Sequence, residues 1–402
     1  MSEAFDLNWL VSVDDHVLEP PHVWQDRVPS KYKDIAPKIV RKDGQEFWTY
    51  EDKRVSTLGL AAVAGLSKEQ FTLDSVSYAD MRPGCYDPVA RLEDMDRAGI
   101  LASMCFPSFT RFCGQVFYEA KDKELAMICV QAYNDWMIDE WCGSAPGRYI
   151  PLIIIPLWDP RSAAKEIERC AAKGARALCF SENPVPLGLP SIHDAGRYWD
   201  PVWQAAQDTQ MIVCMHQGSS STRMRMGEDS PELSSMSWAI GAQSSGTLLD
   251  WLFGPVFVRF PGIKIALSEG GIGWIPYFLE RAEQVLDKQR FWASDGDVRY
   301  DLASGKVKNV GELEVDLMTL DLRAVFREHV YGCFIDDVTG VQNLQAIGVD
   351  NVMIETDYPH SDSTWPTCID FARKQLDGLD EKTQYAILRG NAERVFRFKA
   401  YK

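Results

Sequence analysis

Three short apolar runs in this chain each stop at a residue that binds metals. Val11-Ser12-Val13-Asp14-Asp15-His16 ends in an Asp-x-His pair, Met211-Ile212-Val213-Cys214-Met215-His216 in a histidine, and Asn351-Val352-Met353-Ile354-Glu355-Thr356-Asp357 in a carboxylate. Each run reads as a buried parallel strand. Along a strand, residues i and i+2 share a face, so Asp14 and His16 can grip one ion while Asp15 points away. Mixed imidazole and carboxylate donors suit zinc, iron or manganese, giving a predicted ligand set of Asp14, His16, His216 and Asp357 for one or two divalent transition-metal ions. Taken singly, a strand-end histidine is more often a satisfied core residue, and an aspartate after a strand more often caps the next helix. The recurrence of the pattern at three strand ends favours ligation.

Such residues must be brought together by the fold. Apolar runs at 10–15, 100–106, 150–155, 176–180, 211–215, 263–267, 330–334 and 351–356 alternate with helical segments such as Pro88 to Ala98, Lys121 to Cys142, Pro160 to Ala172, Trp199 to Thr209 and Trp274 to Phe291. Eight strands alternating with helices predict an α/β fold, a (β/α)8 TIM barrel whose C-terminal strand ends meet at one mouth. A minimal barrel needs about 250 residues, so roughly 150 are left for insertions near the mouth of a single domain spanning 1–402. These fall at about 25–80, 218–245 and 292–322. Asp43-Gly44 between alternating residues predicts a hairpin in the first. The second, rich in Ser, Met and Gly, follows His216 directly and is expected to overhang the site as a lid, with Met224, Met226 and Met236 facing an apolar substrate.

Composition narrows the function classes. A net charge of -16 and the lack of a basic cluster argue against nucleic acid as a partner. Ten scattered cysteines without a C-x-x-C pair fit a reducing cytoplasm, and no apolar stretch is long enough for a membrane span. The partner expected is a small-molecule substrate, and the aromatic surface of the 25–80 insertion predicts a homodimer.

The stretches Val13-Asp14-Asp15-His16-Val17-Leu18-Glu19-Pro20-Pro21, Met215-His216-Gln217-Gly218, Thr356-Asp357-Tyr358-Pro359-His360 and Asn391-Ala392 together resemble the amidohydrolase superfamily. The closer likeness is to its amidohydrolase-related branch, which includes many nonoxidative decarboxylases. The resemblance implies metal ligands from strands 1, 5 and 8, at Asp14, His16, His216 and Asp357. It also exposes a departure: where decarboxylases of the branch carry Gly-His-x-Gly after strand 6, this chain has Leu267-Ser268-Glu269-Gly270-Gly271. A glutamate held ionised beside a metal can bind the ion or take a proton from its water, but cannot donate one to an aromatic carbon.

The expectation is therefore a metal-dependent hydrolase acting on an ester, thioester or amide of a sizeable apolar acid. Asp357 or Glu269 would serve as base and His360 would stabilise the oxyanion or orient Asp357, with Glu269 also a ligand and Glu182 a bridging candidate. The alternative is a nonoxidative decarboxylase or hydratase of a hydroxylated aromatic acid, and a third reading is a catalytically silent barrel. Arg82 and Arg111 are candidates for an anionic substrate, and Trp48, Phe109, Phe112 or Trp238 for an apolar pocket, although surface ion pairs and core packing are the commoner fates of such residues. Glu19, His22, His193 and His329 read as structural.

Overall fold

The computed structural model describes residues 5–42, 45–294, 296, 298–309 and 313–402. Eight parallel strands form the barrel: β1 (Leu10–Val17), β2 (Ile100–Pro107), β3 (Leu152–Ile153), β4 (Ala177–Ser181), β5 (Ile212–His216), β6 (Ile265–Ser268), β7 (Val330–Phe334) and β8 (Val352–Ile354). Every residue in them is buried, which is why they read as continuous apolar runs. β3 to β8 form a continuous parallel ladder, and β1 pairs with β2. The ladder is linked to β2 by Ser103 N–H to Arg148 O and Ile150 N–H to Ser103 O, each at 2.9 Å. On the other side, Asp357 N–H donates to Asp14 O at 2.9 Å and His16 N–H to Tyr358 O at 2.6 Å, so the ring closes through the backbone of the predicted ligands themselves.

Helices over Pro88–Ala98, Pro160–Ala172 and Leu322–His329 start at Asp87, Asp159 and Asp321, whose carboxylates accept from the orphan N–H groups of the first turn. These aspartates are helix caps, unlike Asp14 and Asp357.

The first insertion contains a three-stranded antiparallel sheet, Lys38–Lys42, Gln45–Tyr50 and Lys53–Val55. The Asp43-Gly44 turn lies outside the described residues, but the strands flanking it pair antiparallel. Tyr32, Phe47, Trp48 and Tyr50 are buried, Trp48 lying 5.3 Å from Trp24 and 4.6 Å from Phe109 between ring centroids, while Phe71 and Tyr78 stay half-buried. The second insertion departs from a plain loop, because Glu232–Leu252 is a 21-residue helix. It buries small side chains, among them Ser235, Ala239, Ser244 and Ser245, where close packing needs no large apolar residue. The third contains a hairpin of Val298–Asp301 with Lys306–Asn309. Among the described residues no helix is long and apolar enough to cross a membrane, and all ten cysteines are buried and unpaired.

Candidate metal centre

At the C-terminal mouth of the barrel three histidines and three carboxylates converge. His16 Nε2 lies 3.1 Å from Asp357 Oδ1, 3.5 Å from Asp14 Oδ1 and 3.2 Å from His216 Nε2. His216 Nε2 lies 3.4 Å from Asp14 Oδ2 and 3.3 Å from Glu269 Oε2. His360 Nδ1 lies 3.4 Å from Asp357 Oδ1, and its ring stacks on His16 at 3.6 Å.

These contacts are not a network of satisfied hydrogen bonds. Both carboxylate oxygens of Asp14 and of Asp357, and His360 Nε2, are buried without a hydrogen-bond partner. Such orphaned groups are expensive in a protein interior unless something charged sits between them. Donor atoms of Asp14, His16 and His216, and of His16, Asp357 and His360, lie within 4.8 Å of one another in each set. Burial lowers the His16 imidazole well below its ordinary value and takes His216 down to about 4, so both rings present a lone pair at neutral pH. His216 Nδ1 donates to Gln217 O at 2.6 Å, which leaves Nε2 as the free ligand atom. The site is therefore suited to a divalent transition metal.

Burial and the neighbouring carboxylates of Glu355, Asp357 and Glu269 push the Asp14 carboxyl well up. Burial works the same way on Asp357, but the facing imidazoles of His360 and His16 outweigh it and hold that carboxyl below its usual range. Asp357 and Glu269 both sit at positive φ, 51° and 54°, a strained backbone for residues with side chains and one found most often at functional sites.

The supports come from residues whose roles the motif pattern does not announce. Asp15, pointing away from the centre, accepts from Thr356 Oγ1 at 2.5 Å and from Tyr358 N–H at 3.1 Å, which fixes the backbone on both sides of Asp357. Arg91 is buried and donates from Nη2 to His16 O at 2.6 Å. Glu19 accepts from the N–H groups of Ser108 and Phe109 and so holds the loop after β2. That loop lays Phe112 on His216, ring to ring at 3.9 Å. Gly218, at φ 85°, leaves the space for it, since a Cβ there would come within 3.2 Å of the Phe112 ring. Glu355, buried at the end of β8, accepts from Glu269 N–H at 3.1 and 3.2 Å and holds the strained turn. Its place was legible, because Glu355 and Asp357 are two residues apart, the same spacing that pairs Asp14 with His16.

Of the other candidates, Glu269, Asp357 and His360 line a cleft of 720 Å³ with Phe112. Arg111 lines an adjoining recess with Phe112 and His360 while paired to Glu119 at 2.7 Å. Arg82 instead pairs with Asp94 at 2.5 Å and lines neither space. Glu182 is held by Gly218 N–H and Ser220 Oγ, each at 2.9 Å, and bridges nothing at the centre. Trp48 and Phe109 belong to the core. Met236 lines the cleft, Met224 a separate cavity, and Trp238 and Met226 neither. His22 pairs with Glu140, His193 with Asp250, and His329 bonds Ile263 O.

The sequence model of the amidohydrolase family matches residues 22–398. A gamma-resorcylate decarboxylase from Polaromonas sp. is 24% identical over 275 residues, covering 66% of this chain and 74% of the relative. The solved structure of an amidohydrolase from Mycobacterium avium subsp. paratuberculosis superposes with a TM-score of 0.71 at 21% identity, covering 97% of this chain and 100% of that one. A 5-carboxyvanillate decarboxylase from Novosphingobium aromaticivorans, solved with manganese and 4-hydroxy-3-methoxy-5-nitrobenzoic acid, gives 0.63 at 16% identity, covering 98% of this chain and 97% of that one. The barrel fold is the one expected from the strand pattern.

The hydrolytic expectation is overturned by the curated relatives, which include gamma-resorcylate decarboxylases and 2-amino-3-carboxymuconate-6-semialdehyde decarboxylases. In the metal-free chain, burial with Asp357, Asp362 and Glu355 nearby pushes the Glu269 carboxyl well up.

Proposed function

The chain belongs to the amidohydrolase family, and from that premise we propose that this enzyme is a metal-dependent nonoxidative decarboxylase of a hydroxylated aromatic acid. The observation that carries the reading is the juxtaposition, on one cleft, of orphaned Asp and His donors with Glu269, whose carboxylate oxygen lies 3.3 Å from His216 Nε2 and opens on the same cleft. Asp14, His16, His216 and Asp357 would hold the ion, and manganese, present in the carboxyvanillate relative, is the metal to try first. A divalent ion there supplies positive charge that binds and orients the acid's carboxylate and neighbouring phenolic oxygen.

The residues of the chain perform the rest. Phe112 and His360, each stacked on a ligand histidine, wall the space in which the aromatic ring would lie. Glu269, 17% exposed on its side chain, faces the cleft and gives its proton to the ring carbon that bears the carboxylate. The bond from that carbon to the carboxylate then breaks, its electron pair restores the aromatic ring, and carbon dioxide leaves. Glu269 recovers a proton from water in the cleft. Each turnover consumes one proton and needs no redox partner. The ten buried, unpaired cysteines support a reducing compartment such as the cytoplasm for this chemistry.

The test is manganese-loaded protein incubated with a panel of dihydroxybenzoates while released carbon dioxide and the corresponding phenol are followed. Release is expected for at least one acid and is expected to vanish in Glu269→Gln with metal content retained. No release from any hydroxylated benzoate, or an undiminished rate in Glu269→Gln, refutes the reading.

A further inference from the structure

The cleft above Asp357, Glu269 and His360 is larger than a single ring requires. Its volume is 720 Å³, whereas a dihydroxybenzoate at the packing density of organic solids fills only ~200 Å³. The surplus has a definite chemistry. On the helix Glu232–Leu252, Leu233, Met236, Ser237 and Ile240 stand at i, i+3, i+4 and i+7 and line the cleft as one face. Leu58 and Leu60, from the first insertion, line the same cleft. Leu233 is 75% exposed, Leu58 48% and Met236 38%, so this apolar surface is left to solvent beside the catalytic end and not packed into the core. Arg223 and Arg225 also reach the cleft, each paired to one oxygen of Glu232.

We infer that the acid carries an apolar substituent of several carbons, alkyl or aryl, which lies between Leu58 and Leu60 on one side and Leu233, Met236 and Ile240 on the other. This rests on the decarboxylase reading and extends it, because the occupant of the groove is the far end of the molecule whose carboxylate reacts at Glu269. The two insertions that build the groove are then specificity elements: the barrel supplies the ion and the acid, and the helix with the facing 58–61 turn selects the side chain of the ring.

The experiment is calorimetric titration of manganese-loaded protein with resorcinol and its 4-methyl, 4-propyl and 4-hexyl derivatives, which stand for the product. Burial of each methylene is expected to tighten Kd by about two- to fourfold, the upper figure being full transfer from water. Leu233→Asn, at an exposed position that does not threaten folding, is expected to flatten that slope. A Kd independent of chain length overturns the inference, as does a slope that is the same in Leu233→Asn. Carbon dioxide release from the dihydroxybenzoate panel, extended to its 4-propyl and 4-hexyl members, is scored separately. A flat slope with turnover removes the substituent alone, and no turnover removes the decarboxylase reading.

Discussion

Replacing Asp14 by asparagine separates a metal ligand from an ordinary buried aspartate, because the two roles predict opposite signs in the metal-free protein. Asp14 is 1% exposed, neither of its oxygens has a hydrogen-bond partner, and its carboxyl is pushed up by burial and by the carboxylates around it. Near neutral pH that group weakens the metal-free fold, since its folded-state affinity for a proton exceeds that in the unfolded chain and stability falls as pH rises above the unfolded value. An amide carries no charge and can donate to the lone pair on His216 Nε2, 3.4 Å from the Asp14 oxygen it replaces. Metal-free Asp14→Asn should therefore melt no lower than the metal-free parent. With about 2.1 cal/mol/K of unfolding entropy per residue, 402 residues give ~0.84 kcal/mol/K. An ion at a hundred times its Kd adds about 2.7 kcal/mol, so the parent should gain about 3 °C on manganese addition. The variant should gain almost nothing at the same concentration. Differential scanning fluorimetry with and without manganese reads both numbers. A fall of several degrees in metal-free Asp14→Asn, with the manganese shift intact, would mean that the carboxylate is structural and that the ligand assignment is wrong.

Glu19 offers a second sign test. Burial raises its carboxyl from 4.5 to about 7, so the folded state binds that proton more tightly, and the stabilisation it gives is complete below 4.5 and lost as pH climbs to 7. That interval is worth about 3 kcal/mol at 1.36 kcal/mol per pH unit, or about 4 °C for this chain, and Glu19→Gln should lack it when melting curves at pH 4.5 and 7.5 are compared. Equal pH slopes for parent and variant would contradict the burial argument. Arg111→Ala should raise KM for the aromatic acid by about three- to tenfold with kcat nearly retained, because Arg111 lines the recess beside Phe112 and His360. Arg82→Ala, which removes only the pair with Asp94, should leave KM alone, and a KM effect there as large as at Arg111 would show that the cleft has been drawn too small.

The sequence makes the barrel legible because all eight strands are buried on both faces and appear as unbroken apolar runs separated by helices that start at Pro or Asp. The ends of those strands are legible for the same reason: a ligand-type residue is conspicuous where an apolar run stops. The first part of the helix Glu232–Leu252 is not, because its buried positions there are Ser235, Ala239, Ser244 and Ser245, and a helix that packs through small residues has the composition of a loop. Supporting contacts such as Glu19 with the 108–109 backbone, or Glu182 with the 218–220 loop, join segments far apart in the chain and leave no spacing to read.

Glu269 is where the two kinds of legibility part. Its position after β6 can be read from the sequence, and a glutamate in a slot where related decarboxylases carry histidine invites the conclusion that acid chemistry has been replaced by base chemistry. That conclusion treats the side chain's usual pKa as its own property. In the folded, metal-free chain the carboxyl is largely desolvated, and its neighbours include Asp357 after β8, Asp362 beyond it and Glu355, all of which oppose a further negative charge. None of those three is adjacent to Glu269 in sequence, and their combined effect exists only once β6 and β8 are drawn to the same mouth with β7 between them. On the proposed reading, Glu269 in its protonated form takes the donor role that the resemblance gives to an imidazolium, so the substitution would change the identity of the acid and keep the class of reaction.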